Sequence, residues 1–265
     1  MRELLIITGT TSGIGKAVVE QYRRDAVQGS ASIEINRSHH QDQESDDTSS
    51  KVSRFFLRQD LARGISQEML NHIFRETPLV NKYWDAVYLV NNAGENVMAP
   101  IRELCHYDDL TRLFRTNIIS PMYLTSLVVD LLMNNPPKDR SRLSIVNVSS
   151  VAAHVPMRMT SMYGSTKAAL SQFTRNAARE LASEGISVNE VRPGRVSGTK
   201  MGEKVDAQVC ELRGWTLEEA KKYEAQYIPT GKVATPAEVA DVIWHLLRAP
   251  SSVTGNSYLI SNGQM

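Results

Sequence analysis

Cysteine is scarce in this sequence. Cys105 and Cys210 are the two cysteines in 265 residues, and their separation matches no zinc-binding or redox spacing. We therefore expect no disulfide framework and no cysteine-based metal site, which is typical of proteins in a reducing compartment. The histidines offer no alternative, because His39 and His40 stand beside acidic residues at a spacing that fits no defined metal site.

Excess charge and long apolar runs are also lacking. The 30 Lys and Arg residues balance the 29 Asp and Glu residues to a formal net charge of +1, so there is no electrostatic basis for binding nucleic acid or an anionic membrane. No apolar run approaches the roughly 18 residues of a membrane span. The sequence thus predicts a soluble cytoplasmic protein whose partners are small molecules at specific sites.

Short apolar runs recur along the whole chain and are typical of buried strands. Segments with apolar residues at helical spacing separate most of them, and such alternation requires crossover connections and a mostly parallel sheet. We therefore predict one doubly wound α/β domain over residues 1–265, with seven parallel strands flanked by helices. The predicted strands are 4–8, 31–36, 52–57, 86–92, 143–150, 186–191 and 256–260.

Two segments interrupt the alternation. Residues 38–51 are polar without an apolar period and predict a surface loop. Residues 197–232 carry amphipathic pieces broken by glycines, which predicts a helical insert between the sixth and seventh strands. A lid over a substrate pocket and a purely structural excursion are both open for this insert.

A glycine-rich turn, TGTTSGIG, follows the first predicted strand and precedes a predicted helix. In that context Gly9 allows the tight turn, Gly13 lets a pyrophosphate approach the backbone, and Gly15 lets the helix pack on the strand. The free amides and partial positive charge of the helix N-terminus then suit phosphate groups. The turn predicts a dinucleotide site.

The spacing Thr-Gly-x-x-x-Gly-x-Gly resembles that of the short-chain dehydrogenase/reductase family, and other motifs match the family in order and spacing. The resemblance runs from residue 4 to about residue 263 and implies a Rossmann-type fold and a homodimer or homotetramer. The further motifs are Asp60, Asn91-Asn92-Ala93-Gly94, Asn117, Ser150, Tyr163, Lys167, Arg192-Pro193-Gly194 and the helix around residues 234–247.

The resemblance implies roles for individual residues. Four would be catalytic: Asn117, Ser150, Tyr163 and Lys167. Gly198 stands where the family usually has a threonine, so we expect Thr199 to take that role. The residues implied to contact the cofactor are Gly9, Thr11, Ser12, Gly13, Ile14, Gly15, Arg37, Asp60, Leu61, Asn92, Ala93, Gly94, Tyr163, Lys167, Pro193, Gly194, Val196 and Thr199.

Tyr163 and Lys167 stand four residues apart and so share one face of a predicted helix. A nearby ammonium favours the phenolate and should lower the tyrosine pKa from its usual value near 10, which favours proton transfer at neutral pH. Ser150 can donate a hydrogen bond to a substrate oxygen that gains negative charge. The adjacent Ser149 should point to the opposite face and have a structural role.

The end of the second strand indicates which nicotinamide cofactor binds. Asn36 stands where NAD-dependent relatives carry an acid, and the following Arg37, helped by Ser38, can pair with a 2′-phosphate. NADP(H) is therefore favoured over NAD(H). Two observations weaken this preference: Glu34 would be the acid if the strand ended two residues earlier, and Ser12 replaces a basic residue found in some NADP-dependent relatives.

These residues predict an NADP(H)-dependent carbonyl reductase or alcohol dehydrogenase. NAD-dependent oxidation of a secondary alcohol or sugar hydroxyl is one alternative, and a non-catalytic dinucleotide-sensing regulator is another. An apolar or aromatic carbonyl compound would suit the lid residues Met201, Trp215 and Tyr223. The residues expected to line the substrate pocket are Glu95, Asn96, His154, Met157, Met159 and Arg195.

Overall fold

The computed structural model describes residues 2–37, 51–65, 84–103, 106–134 and 142–264. Seven parallel strands form one sheet in the order β3-β2-β1-β4-β5-β6-β7. This confirms the predicted doubly wound sheet. The strands are β1 Glu3–Thr8, β2 Ser30–Asn36, β3 Val52–Arg58, β4 Ala86–Asn91, β5 Arg142–Val148, β6 Ser187–Pro193 and β7 Ser257–Ile260.

Helices connect the strands and cover the sheet. They are α1 Gly13–Asp25, α2 Tyr107–Phe114, α3 Ser120–Asn134, α4 Ser161–Leu181, α5 Lys200–Arg213, α6 Leu217–Ala225 and α7 Pro236–Arg248. A π-helical turn, Arg115–Ile119, joins α2 to α3. Short 3₁₀ turns lie at Leu61–Arg63, Ile101–Glu103, Val151–Ala153 and Ala182–Glu184.

Each strand differs from its predicted range by no more than two residues at either end. The largest shifts lie at the carboxyl ends of β5 and β6, where β5 ends at Val148 and β6 continues to Pro193. Ser149 and Ser150 consequently leave the sheet and enter the loop that follows it. Of the loop predicted at 38–51, only Lys51 belongs to the described residues, and His39, His40, Ser38 and Cys105 lie outside them.

The sheet separates two hydrophobic cores because successive side chains of a strand point to opposite faces. In β1, Leu5 and Ile7 pack with α1 and α7, whereas Leu4 and Ile6 pack with α3 and α4. Each such buried aliphatic side chain contributes about 1.5 to 3 kcal/mol of transfer free energy. The strand segments are therefore continuous apolar runs in the sequence, as expected for a sheet covered on both faces.

The order of strands places a ligand site at the carboxyl end of β1. Connections from β1 run outward on one side through β2 and on the other side through β4. In open α/β sheets, ligands bind in the crevice at this switch point. The glycine turn after β1 and the Asn92-Ala93-Gly94 segment after β4 therefore meet there.

The continuous helical run Tyr107–Met133 meets the length and composition criterion for a membrane span. Buried helices of globular domains meet the same criterion, and Leu113, Leu124 and Val128 of this run are 0–1% exposed. Leu124 and Val128 belong to the core on the α3 and α4 face of the sheet.

Helices α5 and α6 form the predicted insert between β6 and β7. Thr199 caps α5 by accepting from the Gly202 amide, and Thr216 and Glu219 form a capping box at α6. These caps satisfy backbone amides that a helix start would otherwise leave unpaired. The helical character of the insert, though not a lid function, follows from its sequence.

Candidate active site

The glycine-rich turn folds as its spacing requires. Gly9 and Gly13 have φ angles of 73° and 60°, in the left-handed region that glycine adopts at little cost. A Cβ at Gly15 would stand 2.1 Å from the Gly9 carbonyl oxygen and 2.5 Å from Asn92 Nδ2. Helix α1 therefore starts in direct contact with the end of β1, as predicted from the motif.

The N-terminus of α1 suits a phosphate group. The side chain of Ser12, which precedes the helix, makes no capping hydrogen bond among the described residues, and the first turn Gly13–Lys16 holds no acidic residue. The amides of this turn, Ile14 included, are thus free to donate to an anion beside the positive helix end. The residues present fit a dinucleotide pyrophosphate at this position, with Thr11 in the same turn.

The segment after β4 is tied to the glycine turn. Asn92 Nδ2 donates to the carbonyl oxygens of Thr8 and Gly9 at 2.9 and 2.8 Å, and Thr8 Oγ1 accepts from the Ala93 amide at 2.9 Å. A Cβ at Gly9 would lie 3.0 Å from Ala93 Cα. The two predicted cofactor segments therefore form one rigid unit at the switch point.

Ser150 and Tyr163 meet beyond the end of β5. The two residues are each 8% exposed, and their hydroxyl groups approach each other. Ser150 Oγ also accepts from the Ala152 amide at 3.2 Å, which begins the 3₁₀ turn there. Burial raises the pKa of Tyr163, and the nearby Ser150 hydroxyl opposes that rise. The pKa of Tyr163 is therefore raised, which is opposite to the lowering expected from Lys167.

Lys167 lies on the same face of α4 as Tyr163. Its Nζ is 5.8 Å from the centre of the Tyr163 ring and donates to the Val148 carbonyl at 2.8 Å. The side chain is 3% exposed, and burial lowers its pKa to about 8, while the negative charge of Glu190 acts in the opposite direction. The ammonium is therefore held behind the tyrosine and loses its proton more readily than that of an exposed lysine.

A hydrogen-bonded chain connects this helix to a buried carboxylate. Ser149 Oγ donates to the Lys167 carbonyl at 3.2 Å and lies 3.1 Å from Ser171 Oγ. Ser171 and Ser257 donate to the Glu190 carboxylate at 2.6 and 2.5 Å. Ser149 thus has structural contacts, as expected. Sequence reasoning missed Glu190, although an acid inside the apolar strand β6 was a visible signal.

Asn117 lies inside the π-helical turn and is fully buried. Its side chain accepts from the Glu95 amide at 2.8 Å and donates to the Glu95 carbonyl and Thr166 Oγ1 at 2.9 and 3.0 Å. A Cβ at Gly94 would lie 3.4 Å from Lys167 Nζ and 3.5 Å from Asn117 Oδ1. The missing side chain of Gly94 therefore keeps open the space between these two predicted catalytic residues.

The residues that were expected to select the cofactor form an interlocked group. Asn36 is buried, and its Oδ1 accepts from the Thr10 amide at 2.6 Å. Glu34 is buried as well and pairs with Thr10 Oγ1 and Arg54 Nε at 2.8 and 2.7 Å. The Glu34 carboxylate is thus buried and already bound by these two side chains, and β2 ends at Asn36 as predicted. Arg37 is the exposed residue there.

Arg37 forms an ion pair with Glu95, whose carboxylate also accepts two hydrogen bonds from Arg112 at 2.8 and 2.9 Å. Arg112 Nη1 lies 3.6 Å from Asp60 Oδ2. Asp60 also caps the turn that begins at Leu61 by accepting from the Ala62 amide at 3.1 Å. The sequence did not predict a role for Arg112, because a single arginine on a helix is ordinarily a solvent-exposed residue.

The segment after β6 reaches back to the glycine turn. Pro193 ends β6, the Gly194 amide donates to the Ile260 carbonyl at 2.8 Å, and Val196 bridges to Ala234. A Cβ at Gly13 would lie 3.2 Å from the Thr199 methyl group. Gly198 adopts a φ of 62°, and an added Cβ there would have none of the described residues within 4 Å. Thr199, and not Gly198, thus contacts the glycine turn.

The six predicted pocket residues separate into two groups. Arg195 pairs with Asp206 of α5 and Glu224 of α6, so it anchors the insert. Glu95 belongs to the arginine cluster described above. The remaining four are exposed or half-buried: Asn96, His154, Met157 and Met159.

A sequence model described as short chain dehydrogenase matches residues 3–209. The chain belongs to the short-chain dehydrogenase family. Its fold and its sequence motifs agree with that membership. The protein is therefore an oxidoreductase that acts on alcohol or carbonyl compounds, and its fold binds a nicotinamide dinucleotide.

Relatives in this family extend over the whole chain. A diacetyl reductase forming (S)-acetoin from Staphylococcus epidermidis is 28% identical over 99% of this chain and 98% of its own length. The L-sorbose reductase of Gluconobacter frateurii, solved with NADPH and L-sorbose, has a TM-score of 0.81 at 22% identity, covering 100% and 97% of the two chains. A 4-hydroxyisoleucine dehydrogenase solved with NADH has a TM-score of 0.78 at 21% identity, covering 100% and 99%.

Proposed function

We propose that this protein is an NADP(H)-dependent carbonyl reductase or alcohol dehydrogenase in which Tyr163 is the general acid and base. The observation that carries the proposal is the contact of Tyr163 with Ser150, backed by Lys167, beside the glycine turn. Ser150 follows β5, whereas Tyr163 and Lys167 lie on α4, and the three groups meet at the carboxyl end of the sheet, where this fold class places its ligands. Asn117 is the fourth catalytic residue.

The roles follow from the geometry. Tyr163 transfers a proton to or from the substrate oxygen, and Ser150 stabilises the charge that develops there. The buried ammonium of Lys167 favours the phenolate form of Tyr163, which burial alone disfavours. Asn117 fixes the backbone of Glu95 beside this group. The dinucleotide, when bound, supplies or accepts the hydride.

The preference for NADP(H) rests on Asn36 and Arg37. The amide of Asn36 carries no charge that would repel a 2′-phosphate, and Arg37 is 61% exposed at the end of β2. NADP(H) would be held by the glycine turn, the amides of α1, the Ala93-Gly94 backbone, Asp60 and Thr199. Relatives by fold bind NADPH in one case and NADH in another, so the proposal depends on these side chains.

NAD-dependent oxidation of a secondary alcohol or sugar hydroxyl is the second candidate. One observation favours it, because Arg37 is paired with the Glu95 carboxylate and is not a free cation. A sensor without catalysis is less well supported, since binding alone does not require Ser150, Tyr163 and Lys167 together.

The remaining features of the proposal concern substrate and assembly. The substrate is a small carbonyl or alcohol compound covered by α5 and α6, in keeping with the similarity to a diacetyl reductase. The protein is a cytoplasmic single-domain enzyme that forms a homodimer or homotetramer. Exposed apolar side chains on α2, the π-helical turn and α3 support an assembly surface: Tyr107, Phe114, Ile119, Met122 and Tyr123.

Cofactor titration followed by substrate screening tests this function. NADPH and NADH binding are measured by fluorescence, and cofactor oxidation is then followed with diketones, ketoses and aromatic ketones. Tyr163→Phe should lower kcat by roughly 10² to 10⁴-fold with little change in cofactor affinity. Wild-type turnover in Tyr163→Phe would contradict the mechanism. An unchanged NADPH/NADH ratio in Arg37→Ala would contradict the cofactor assignment.

A further inference from the structure

The Glu95 carboxylate forms an ion pair with Arg37, the arginine proposed to select the cofactor. The proposed catalytic mechanism does not use this carboxylate. We infer that Glu95 is a specificity-determining residue: it competes with the 2′-phosphate of NADP(H) for Arg37 and so weakens the selectivity that Arg37 would otherwise give. The inference rests on the proposed nicotinamide-dependent function and concerns how strongly the adenosine end distinguishes the two cofactors.

The competition follows from the contacts of Arg37. Its Nη1 pairs with Glu95 Oε1, and the same oxygen accepts from Arg112 Nη2 at 2.8 Å. Arg112 Nε donates to the other carboxylate oxygen at 2.9 Å. Such a two-point arginine contact fixes both the position and the orientation of a carboxylate. Arg37 therefore meets an anion that is already held in place.

The backbone of Glu95 is equally fixed. Its amide donates to Asn117 Oδ1 at 2.8 Å, and its carbonyl accepts from Asn117 Nδ2 at 2.9 Å. The Glu95 side chain is 23% exposed, whereas that of Arg37 is 61% exposed. Arg37 is thus the partner that can move, and a 2′-phosphate gains its contact at the expense of the Glu95 pair.

The charges of the group explain why the competition matters. Arg37 and Arg112 are balanced by Glu95 and by Asp60, which lies 3.6 Å from Arg112. Asp60 also lies 4.0 Å from Arg63 Nε, so a 2′-phosphate approaches three arginines whose positive charge is largely offset by two carboxylates. Ion pairs of exposed arginines contribute little free energy, so the pair weakens phosphate binding and does not block it. NADH has no 2′-phosphate and should be almost insensitive to Glu95.

Glu95→Gln tests the inference by removing the charge while keeping the side-chain size. We compare NADPH with NADH, and adenosine 2′,5′-bisphosphate with 5′-AMP, by isothermal titration calorimetry. Competition of a carboxylate for the arginine in a largely solvated site should weaken phosphate binding roughly 3- to 10-fold. Glu95→Gln should therefore tighten NADPH and the bisphosphate by that factor and change NADH and 5′-AMP less than about 2-fold.

Glu95→Asp is the matched control, because it keeps the charge and should show no such gain. In an Arg37→Ala background, Glu95→Gln should lose most of its effect, since the two residues act on the phosphate as one pair. Should Glu95→Gln misfold, Glu95→Ser removes the same charge and is subject to the same expectations.

Two results would overturn the inference and are distinguishable from a failure of the proposed function. An unchanged or lowered NADPH/NADH affinity ratio in a folded charge-removed variant would show that Glu95 does not compete. A full gain in the Arg37→Ala background would show that it does not act through Arg37. If wild type bound neither cofactor nor adenosine nucleotide, the proposed function would fail together with the inference.

Discussion

Gly15→Ala should destabilise the protein markedly, although Gly15 lies in a helix where alanine is normally favourable. The added Cβ would stand 2.1 Å from the Gly9 carbonyl oxygen and 2.5 Å from Asn92 Nδ2. The first of these is backbone, so α1 must move relative to β1. Overpacking of this kind costs about 1 to 3 kcal/mol.

The hydrogen bonds of Asn92 increase that cost. Its Nδ2 donates to the Thr8 and Gly9 carbonyls at 2.9 and 2.8 Å, and each bond contributes about 1 kcal/mol net. Displacing Asn92 loses part of both, so the free energy of unfolding should fall by about 2 to 4 kcal/mol. For a chain of this size that corresponds to a fall in Tm of roughly 4 to 7 °C.

Urea and thermal unfolding of the cofactor-free protein measure this directly. Gly185→Ala is the control. Gly185 has a φ of 74°, but an added Cβ would have none of the described residues within 4 Å, so this variant should lose only the conformational term of about 1 to 2 kcal/mol. A Gly15→Ala variant as stable as wild type would refute the argument that the glycine exists to allow helix-to-strand contact.

Further predictions concern protons, serines and the insert. Burial in the folded protein lowers the pKa of Lys167 to about 8. Above that pH the unfolded chain binds more protons than the folded protein does. The free energy of unfolding should therefore rise by about 2 kcal/mol between pH 7.5 and 9.5. Urea titrations at both pH values check this, and Lys167→Met should remove most of the rise. Ser150→Ala should lower kcat/KM by roughly 10² to 10³-fold. Ser149→Ala should retain turnover and lose about 1 kcal/mol of stability. Equal losses of kcat/KM in the two variants would contradict the separate roles of the two serines. Arg195→Met should speed amide exchange in α5 by roughly tenfold and leave α1 unchanged, as measured by hydrogen exchange.

The active-site serines show how far the sequence could lead. The motif identified Ser150 and Tyr163, and strand alternation assigned Ser149 to the other face. Nothing local indicated that Ser149 would bond to Lys167 and Ser171 across α4, because those contacts depend on how the helix packs over the sheet. The sign of the Tyr163 pKa shift was wrong for a related reason: spacing predicts the lysine neighbour but does not measure burial.

The cofactor-selecting group shows the same division. The sequence placed Asn36 and Arg37 at the end of β2 and offered Glu34 as an alternative acid. Only the fold shows that Glu34 is buried beside Arg54 and that Arg37 meets Glu95, 58 positions along the chain. Long-range ion pairs leave no periodic pattern in a sequence, so they are invisible until the strands are ordered.

The sequence by itself determined the alternating strands and helices, the glycine turn and the candidate catalytic residues, because these depend on local spacing and on side-chain type. The tertiary structure alone decided which charges meet, which hydroxyls are buried and which way each pKa moves. Those properties depend on distances and on solvent exclusion, and both are set when the two faces of the sheet are covered.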